Sequence, residues 1–115
     1  METIKQIQAR RDAILKQMQG IRSMERGSIT EQYLKVPHKG KREPVLRDPY
    51  YMLSRREGKK TVGYRLKTPR ELERARRDVE AHKEFKKLCR EFEQLTEQLG
   101  KLERELDEAS EGKRG

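Results

Sequence analysis

Eleven lysines and arginines fall from Lys35 to Lys67, against three acids, Glu43, Asp48 and Glu57. Five of the eleven, Arg55, Arg56, Lys59, Lys60 and Arg65, flank Gly58 inside runs rich in Tyr, Val, Thr and Leu, and Lys39, Lys41 and Arg42 lie in a proline-bounded stretch upstream. Cations at this density do one kind of chemistry well. Each Lys or Arg that meets a phosphate releases condensed counterions, an entropic gain that requires no reading of bases. These eight residues are the candidate nucleic-acid contacts. With about five of them on phosphates, log affinity should fall against log salt with a slope of about −4 to −5. Outside the stretch, eighteen basic and seventeen acidic residues leave only +1 of the chain's +9, so solubility does not demand the patch. An acidic protein surface is the other partner it would suit.

Tyr50, Tyr51 and Tyr64 are interleaved with this charge. They can stack on unpaired bases, or pack a hairpin onto a helix with the hydroxyl at the rim; packing is the commoner use of strand aromatics. Catalytic chemistry finds little footing, and the chain reads as non-enzymatic. His38 and His82 pair with no nucleophile and no metal-binding set, and Cys89 alone holds neither a disulfide nor zinc. Its expected place is beside a helix seam as a small residue. Gly58 and Gly63 belong to strands and turns rather than to a phosphate-cradling loop. No metal and no cofactor are expected.

The elements that must position these residues follow from periodicity. Ile4, Ile7, Arg11, Ile14, Met18 and Ile21 step by three and four, with Leu15 and Met24 widening the stripe, which predicts an N-terminal helix over 1–26 closed by Gly27 and Ser28. Thr68-Pro69-Arg70-Glu71 is a start signal, with a capping hydroxyl, a proline at the first helical position and a carboxylate three residues after the cap. It opens a long helix over 68–108. From Phe85 the spacing alternates three and four through Leu88, Phe92, Leu95, Leu99, Leu102 and Leu106, a coiled-coil seam. Upstream, Leu72, Ala75, Val79 and His82 run one residue out of phase, so the packing partner should change near residues 80–85. The simplest arrangement folds helix 1 against the early part of helix 2. The seam from Phe85 to Leu106 then serves helix 1 and a second copy together, because helix 2, roughly 60 Å long, outruns helix 1, and the chain is expected as a homodimer.

Between the helices, 50–55 and 60–66 read as a β-hairpin around Gly58, within a basic module over 27–67. Val62, Tyr64 and Leu66 share one face and Thr61, Gly63 and Arg65 the other, with the five hairpin cations expected at the tip and along one face. A third short strand is expected from Ile29 to Val36, with Ile29, Tyr33 and Leu34 covering the apolar side. Pro37 to Pro49 reads as a mobile loop and 109–115 as a disordered tail.

The run Arg26-Gly27-Ser28-Ile29-Thr30-Glu31-Gln32-Tyr33-Leu34, followed by Asp48-Pro49-Tyr50-Tyr51-Met52-Leu53-Ser54-Arg55 and Gly58-Lys59-Lys60-Thr61, resembles an uncharacterised family of short microbial proteins often encoded beside transposase genes. The resemblance covers nearly the whole chain, and it implies an accessory role in mobile-element DNA or RNA transactions. Where relatives carry a cysteine cluster after the Tyr-Leu segment, this chain has Lys35-Val36-Pro37-His38-Lys39-Gly40-Lys41-Arg42, so no metal-binding role carries over.

The sequence thus predicts a mainly α protein with a small β-hairpin module, built as an antiparallel helical hairpin or coiled coil and dimeric. Its expected function is non-catalytic binding of DNA or RNA, as an accessory to a transposase or another nucleic-acid enzyme; the alternative is a coiled-coil adaptor docking on a partner protein or ribonucleoprotein. No run approaches the roughly 20 apolar residues of a membrane span, and the expected location is the cytoplasm or nucleoid.

Overall fold

The computed structural model describes residues 3–33, 35–36, 45–46 and 49–114. The protein is mainly helical with a small antiparallel sheet, in the order α1 (Ile4–Gly20), β1 (Ser28–Gln32), β2 (Lys35–Val36), β3 (Val45–Leu46), β4 (Tyr50–Glu57), β5 (Lys60–Leu66) and α2 (Pro69–Arg114). It divides into two units, one formed by residues up to Arg22 with those from Lys83 on, the other by Ser23–His82. The division at 82/83 lies inside the window where the apolar stripe of α2 changes phase.

In the helical unit, α1 is started by a capping box. The Thr3 hydroxyl accepts from the Gln6 N–H at 3.2 Å, and the Gln6 side chain accepts from the Thr3 N–H at 2.9 Å. Ile7 and Ile14 are buried against Leu88, Leu95 and Leu99, with Ile4, Met18, Ile21, Phe92 and Leu102 packed around them. Within this unit α1 packs on the later part of α2, the seam that the sequence expected helix 1 to share with a second copy. Burying a branched aliphatic side chain contributes about 1.5–3 kcal/mol, and the later segment offers leucines at every turn where the earlier one offers Ala75 and Val79. Of the seam positions, Phe85 and Leu106 stand outside this cluster, Leu106 at 59% exposed, and Leu15 and Met24, expected to widen the stripe, are exposed. Arg11, the polar interruption of the seam, lays its guanidinium over the Phe92 ring at 4.8 Å, which lets a cation occupy an apolar stripe.

Helix α1 stops at Gly20, short of the expected residue 26, with Ile21 already extended. Glycine weakens a helix end by about 1 kcal/mol relative to alanine, and the residues beyond have better partners. The Ser23 hydroxyl donates to Asp78 Oδ1 at 3.0 Å and the Glu25 N–H donates to the Asp78 carbonyl at 2.9 Å. At the other end α2 continues through residues 109–114, where a tail was expected. Ala109 and Glu111 are good helix formers, and α-helical hydrogen bonding carries on through them.

In the second unit the sheet order is β1-β4-β5, all antiparallel. The pairs Ile29↔Leu53↔Tyr64 and Ser28↔Ser54↔Gly63 fix the register. Alternation then puts Ile29, Tyr51, Leu53, Arg55, Val62, Tyr64 and Leu66 on one face and Tyr50, Met52, Ser54, Arg56, Thr61 and Arg65 on the other. Among the described residues of this unit, Leu53, Ala75 and Val79 are the buried apolar ones. Gly27, at φ +137, enters β1 where a Cβ would lie 2.7 Å from the Ser54 carbonyl oxygen, so only glycine fits. Tyr33 does not cover the apolar face; it is exposed and donates its hydroxyl to Glu31 at 2.6 Å. Leu34 lies outside the described residues. β2, at the end of the expected third strand, and β3, inside the expected loop, form a small antiparallel ladder, Lys35↔Leu46 and Val36↔Val45; the rest of the loop up to Asp48 lies outside the described residues.

Candidate nucleic-acid interface

Beyond Ser54, the last β4 residue paired to β1, strands β4 and β5 continue as a two-stranded ribbon through Arg55↔Val62, Arg56↔Thr61 and Glu57↔Lys60. The ribbon closes in the Gly58-Lys59 turn, with Gly58 at φ +64, a conformation that glycine adopts without strain. The structure brings Arg55, Arg56, Lys59 and Lys60 together at this tip and places Arg65 farther back on β5.

These five cations do not share one face. Arg55 and Lys60 stand on the apolar side with Val62 and Tyr64, while Arg56 and Arg65 stand on the opposite side, because β4 and β5 residues directly paired in the register point the same way and successive ones alternate. The expectation of a single basic face is corrected accordingly. The cations also differ in what they meet. Arg55 donates through Nε to Glu57 Oε1 at 2.9 Å, with Nη2 2.8 Å from the same oxygen, and sits 5.3 Å from the Tyr64 ring centroid. Its guanidinium is held above its ordinary pKa, first by the Tyr64 hydroxyl and then by Glu57. Arg55 stays charged and is paired with a carboxylate two residues along its own strand. Arg56, Lys59 and Lys60 are exposed and have no carboxylate partner among the described residues. Arg65, also exposed, lies 4.7 Å from the centroid of Tyr50, whose hydroxyl donates to Gln32 Oε1 at 2.7 Å.

Four acids of this unit have partners of their own other than Arg56, Lys59 and Lys60. Glu31 accepts from Tyr33, Glu57 binds Arg55, Glu71 accepts from the Lys67 N–H at 2.9 Å, and buried Asp78 accepts from Ser23 with Arg74 3.8 Å away. Residues 23–82 hold sixteen basic and nine acidic side chains, +7 of the chain's +9. Lys39, Lys41 and Arg42, the candidate loop contacts, lie outside the described residues.

Four arginines of the early part of α2 escaped the sequence reading, which drew the patch to a close at Lys67. Arg70, Arg74 and Arg77 recur at helical spacing with Glu73 among them, and Arg76 lies 5.2 Å from the Tyr51 ring centroid. Their i, i+4, i+7 spacing was the available signal. Tyr50 and Tyr51 are half-buried and Tyr64 is 44% exposed. Cys89 is an exposed free thiol rather than a seam-side filler, and His82 is half-buried on α2. Among the described residues no group of three or more His, Cys, Asp and Glu is placed to hold a metal ion, and no helix is long and apolar enough to cross a membrane.

The fold and the site together define a mainly helical protein that carries a basic three-stranded sheet. Compared with protein-family models, with curated proteins and with solved structures, the chain matches none.

Proposed function

We propose that the protein binds nucleic acid, DNA or RNA, through its phosphates, without catalysing a reaction, as an accessory to a transposase or another nucleic-acid enzyme. The observation that carries this reading is the two-stranded tip, where Arg56, Lys59 and Lys60 are exposed and lack a carboxylate among the described residues while the neighbouring acid is spent on Arg55. A ribbon is narrow enough to enter a groove, and there cations on opposite faces meet phosphates of opposite walls, so their division between two faces suits insertion better than flat docking. The mobile-element role rests on the resemblance described above.

With Arg56, Lys59, Lys60 and Arg65 on phosphates, the salt slope for duplex DNA should be about −3.6. Anisotropy titrations over a salt series measure it. Replacing Arg56, Lys59 and Lys60 by alanine should reduce its magnitude by about 2.7 with helicity unchanged; an unaltered slope rejects the hairpin as the contact. Absence of salt-sensitive affinity for duplex, single strands and structured RNA would put the adaptor reading ahead.

The same reading includes a homodimer. Its support is the thin helical core and the exposed apolar side chains beside it, Leu106 at 59% and Leu15 at 40%; a second copy covering them would thicken a two-helix core. Two copies would present two basic tips and raise avidity on a single nucleic acid. Light scattering tests this, with Leu106→Glu and Leu15→Glu as the variants, since both positions are open in the single chain. A monomeric wild type rejects it.

A further inference from the structure

At the opposite end of the hairpin from its tip, where β5 hands over to α2, the surface carries a cavity of about 440 Å³. That is within the range of about 300–1,000 Å³ typical of sites for small organic groups. Leu66, Pro69 and Leu72 supply apolar walls, and Tyr50, Arg65 and Lys67 supply an aromatic ring and two cations. The ring is held from two sides: its hydroxyl is fixed on Gln32 and one face is covered by the Arg65 guanidinium at 4.7 Å from the centroid. The start of α2 does not furnish the anion attraction here. The Glu71 N–H is satisfied by the Thr68 hydroxyl at 3.1 Å and the Lys67 N–H by the Glu71 carboxylate. Positive charge in the groove comes from the side chains of Arg65 and Lys67.

We infer that this groove seats one unpaired base of the nucleic acid, stacked on the Tyr50–Arg65 pair, with the attached phosphate on Lys67 or Arg65. The inference rests on the nucleic-acid reading proposed above and names the ligand more closely: a duplex adjoining an unpaired nucleotide. An apolar concavity with an aromatic ring and a planar guanidinium suits the face of a base, which any of the four bases offers. A base inside a duplex keeps both faces stacked on its neighbours and cannot enter a concave wall; only one turned out of the stack can. From Tyr50 to Glu57 the strand advances about 23 Å, so one hairpin could hold duplex phosphates at its tip and a free nucleotide at its root.

The experiment compares a blunt duplex with the same duplex bearing a three-nucleotide single-stranded extension, 2-aminopurine being placed in the extension. Anisotropy and 2-aminopurine fluorescence are read at one fixed salt concentration. The extended duplex is expected to bind wild type about tenfold more tightly, with a change in 2-aminopurine emission. Tyr50→Ala should remove that preference, and Tyr50→Phe, which keeps the ring and loses only the bond to Gln32, should retain it. Should Tyr50→Ala prove unfolded by circular dichroism, Tyr50→Leu decides, because it keeps an apolar side chain at this strand position and removes the stacking ring; it too should lose the preference. Equal affinity for both duplexes, or a preference that survives in the folded variants, overturns the inference and leaves phosphate binding by the tip standing. No salt-sensitive binding to either duplex overturns both.

Discussion

The two units of this chain use charge in opposite ways. In the helical unit thirteen basic and eleven acidic side chains nearly cancel, and the only cation on the apolar seam, Arg11, is covered by Phe92. In the sheet unit the surplus is +7; Glu31, Glu57, Glu71 and Asp78 bond to other groups, and Arg56, Lys59 and Lys60 have no carboxylate partner among the described residues. The contrast teaches that total charge is a poor guide to an interface. What matters is which cations their own chain has already answered, and Arg55 beside Arg56 shows the distinction within two consecutive residues.

If the helical unit supplies stability and the sheet unit supplies binding, substitutions should separate the two. The largest effect is expected from Leu95→Ala, at a buried position of the helical core: urea unfolding should show a loss of about 2–5 kcal/mol, with the salt slope of nucleic-acid binding unchanged below the transition. A changed slope would mean the two roles are not divisible. Next comes Asp78→Ala, which strands the Ser23 hydroxyl and removes the partner of Arg74; a loss of about 1–3 kcal/mol is expected, and Asp78→Asn, which keeps an acceptor at Oδ1, should recover part of it.

A smaller effect distinguishes the two neighbouring arginines. Arg56→Ala should reduce the magnitude of the salt slope by about 0.9. Removing Arg55 and Glu57 together deletes a pair of zero net charge and should leave the slope as it was. Equal effects would show that Arg55 is as available to phosphate as Arg56. The smallest concerns Tyr33, whose phenol is held above its usual value of 10.0, chiefly by donating to Glu31. A raised folded value favours the protonated ring, so the contribution is present below the ordinary phenol range and is lost as pH rises through the folded value. Glu31→Gln should lower the pH at which one of the tyrosines forms phenolate, followed by ultraviolet absorbance; an unchanged titration would show that Glu31 is not engaged.

Much of this fold could be read along the chain. The Thr68-Pro69 start of α2, the Gly58 turn, the alternation in 60–66 and the phase change near 82 are local signals, each set by backbone sterics or by the period of an element. The capping box at Thr3 and Gln6 was equally legible and went unread, as did the arginines at helical spacing after Lys67. The early end of α1 was not legible. It depends on Ser23 and Glu25 finding Asp78, 55 residues from Ser23, and a bond of that range leaves no trace in local pattern.

Sequence alone determined where the charge is concentrated, which residues are apolar at helical or strand spacing, and hence that helices flank a basic hairpin, because these follow from side-chain chemistry and from the fixed periods of the backbone. Tertiary structure decided which part of α2 receives α1, and which face of the ribbon each cation takes relative to its neighbours on the paired strand. It also decided which cations remain unanswered. A charge becomes available to a partner only when no carboxylate of its own chain lies within a few ångströms, and that distance is a property of the folded register.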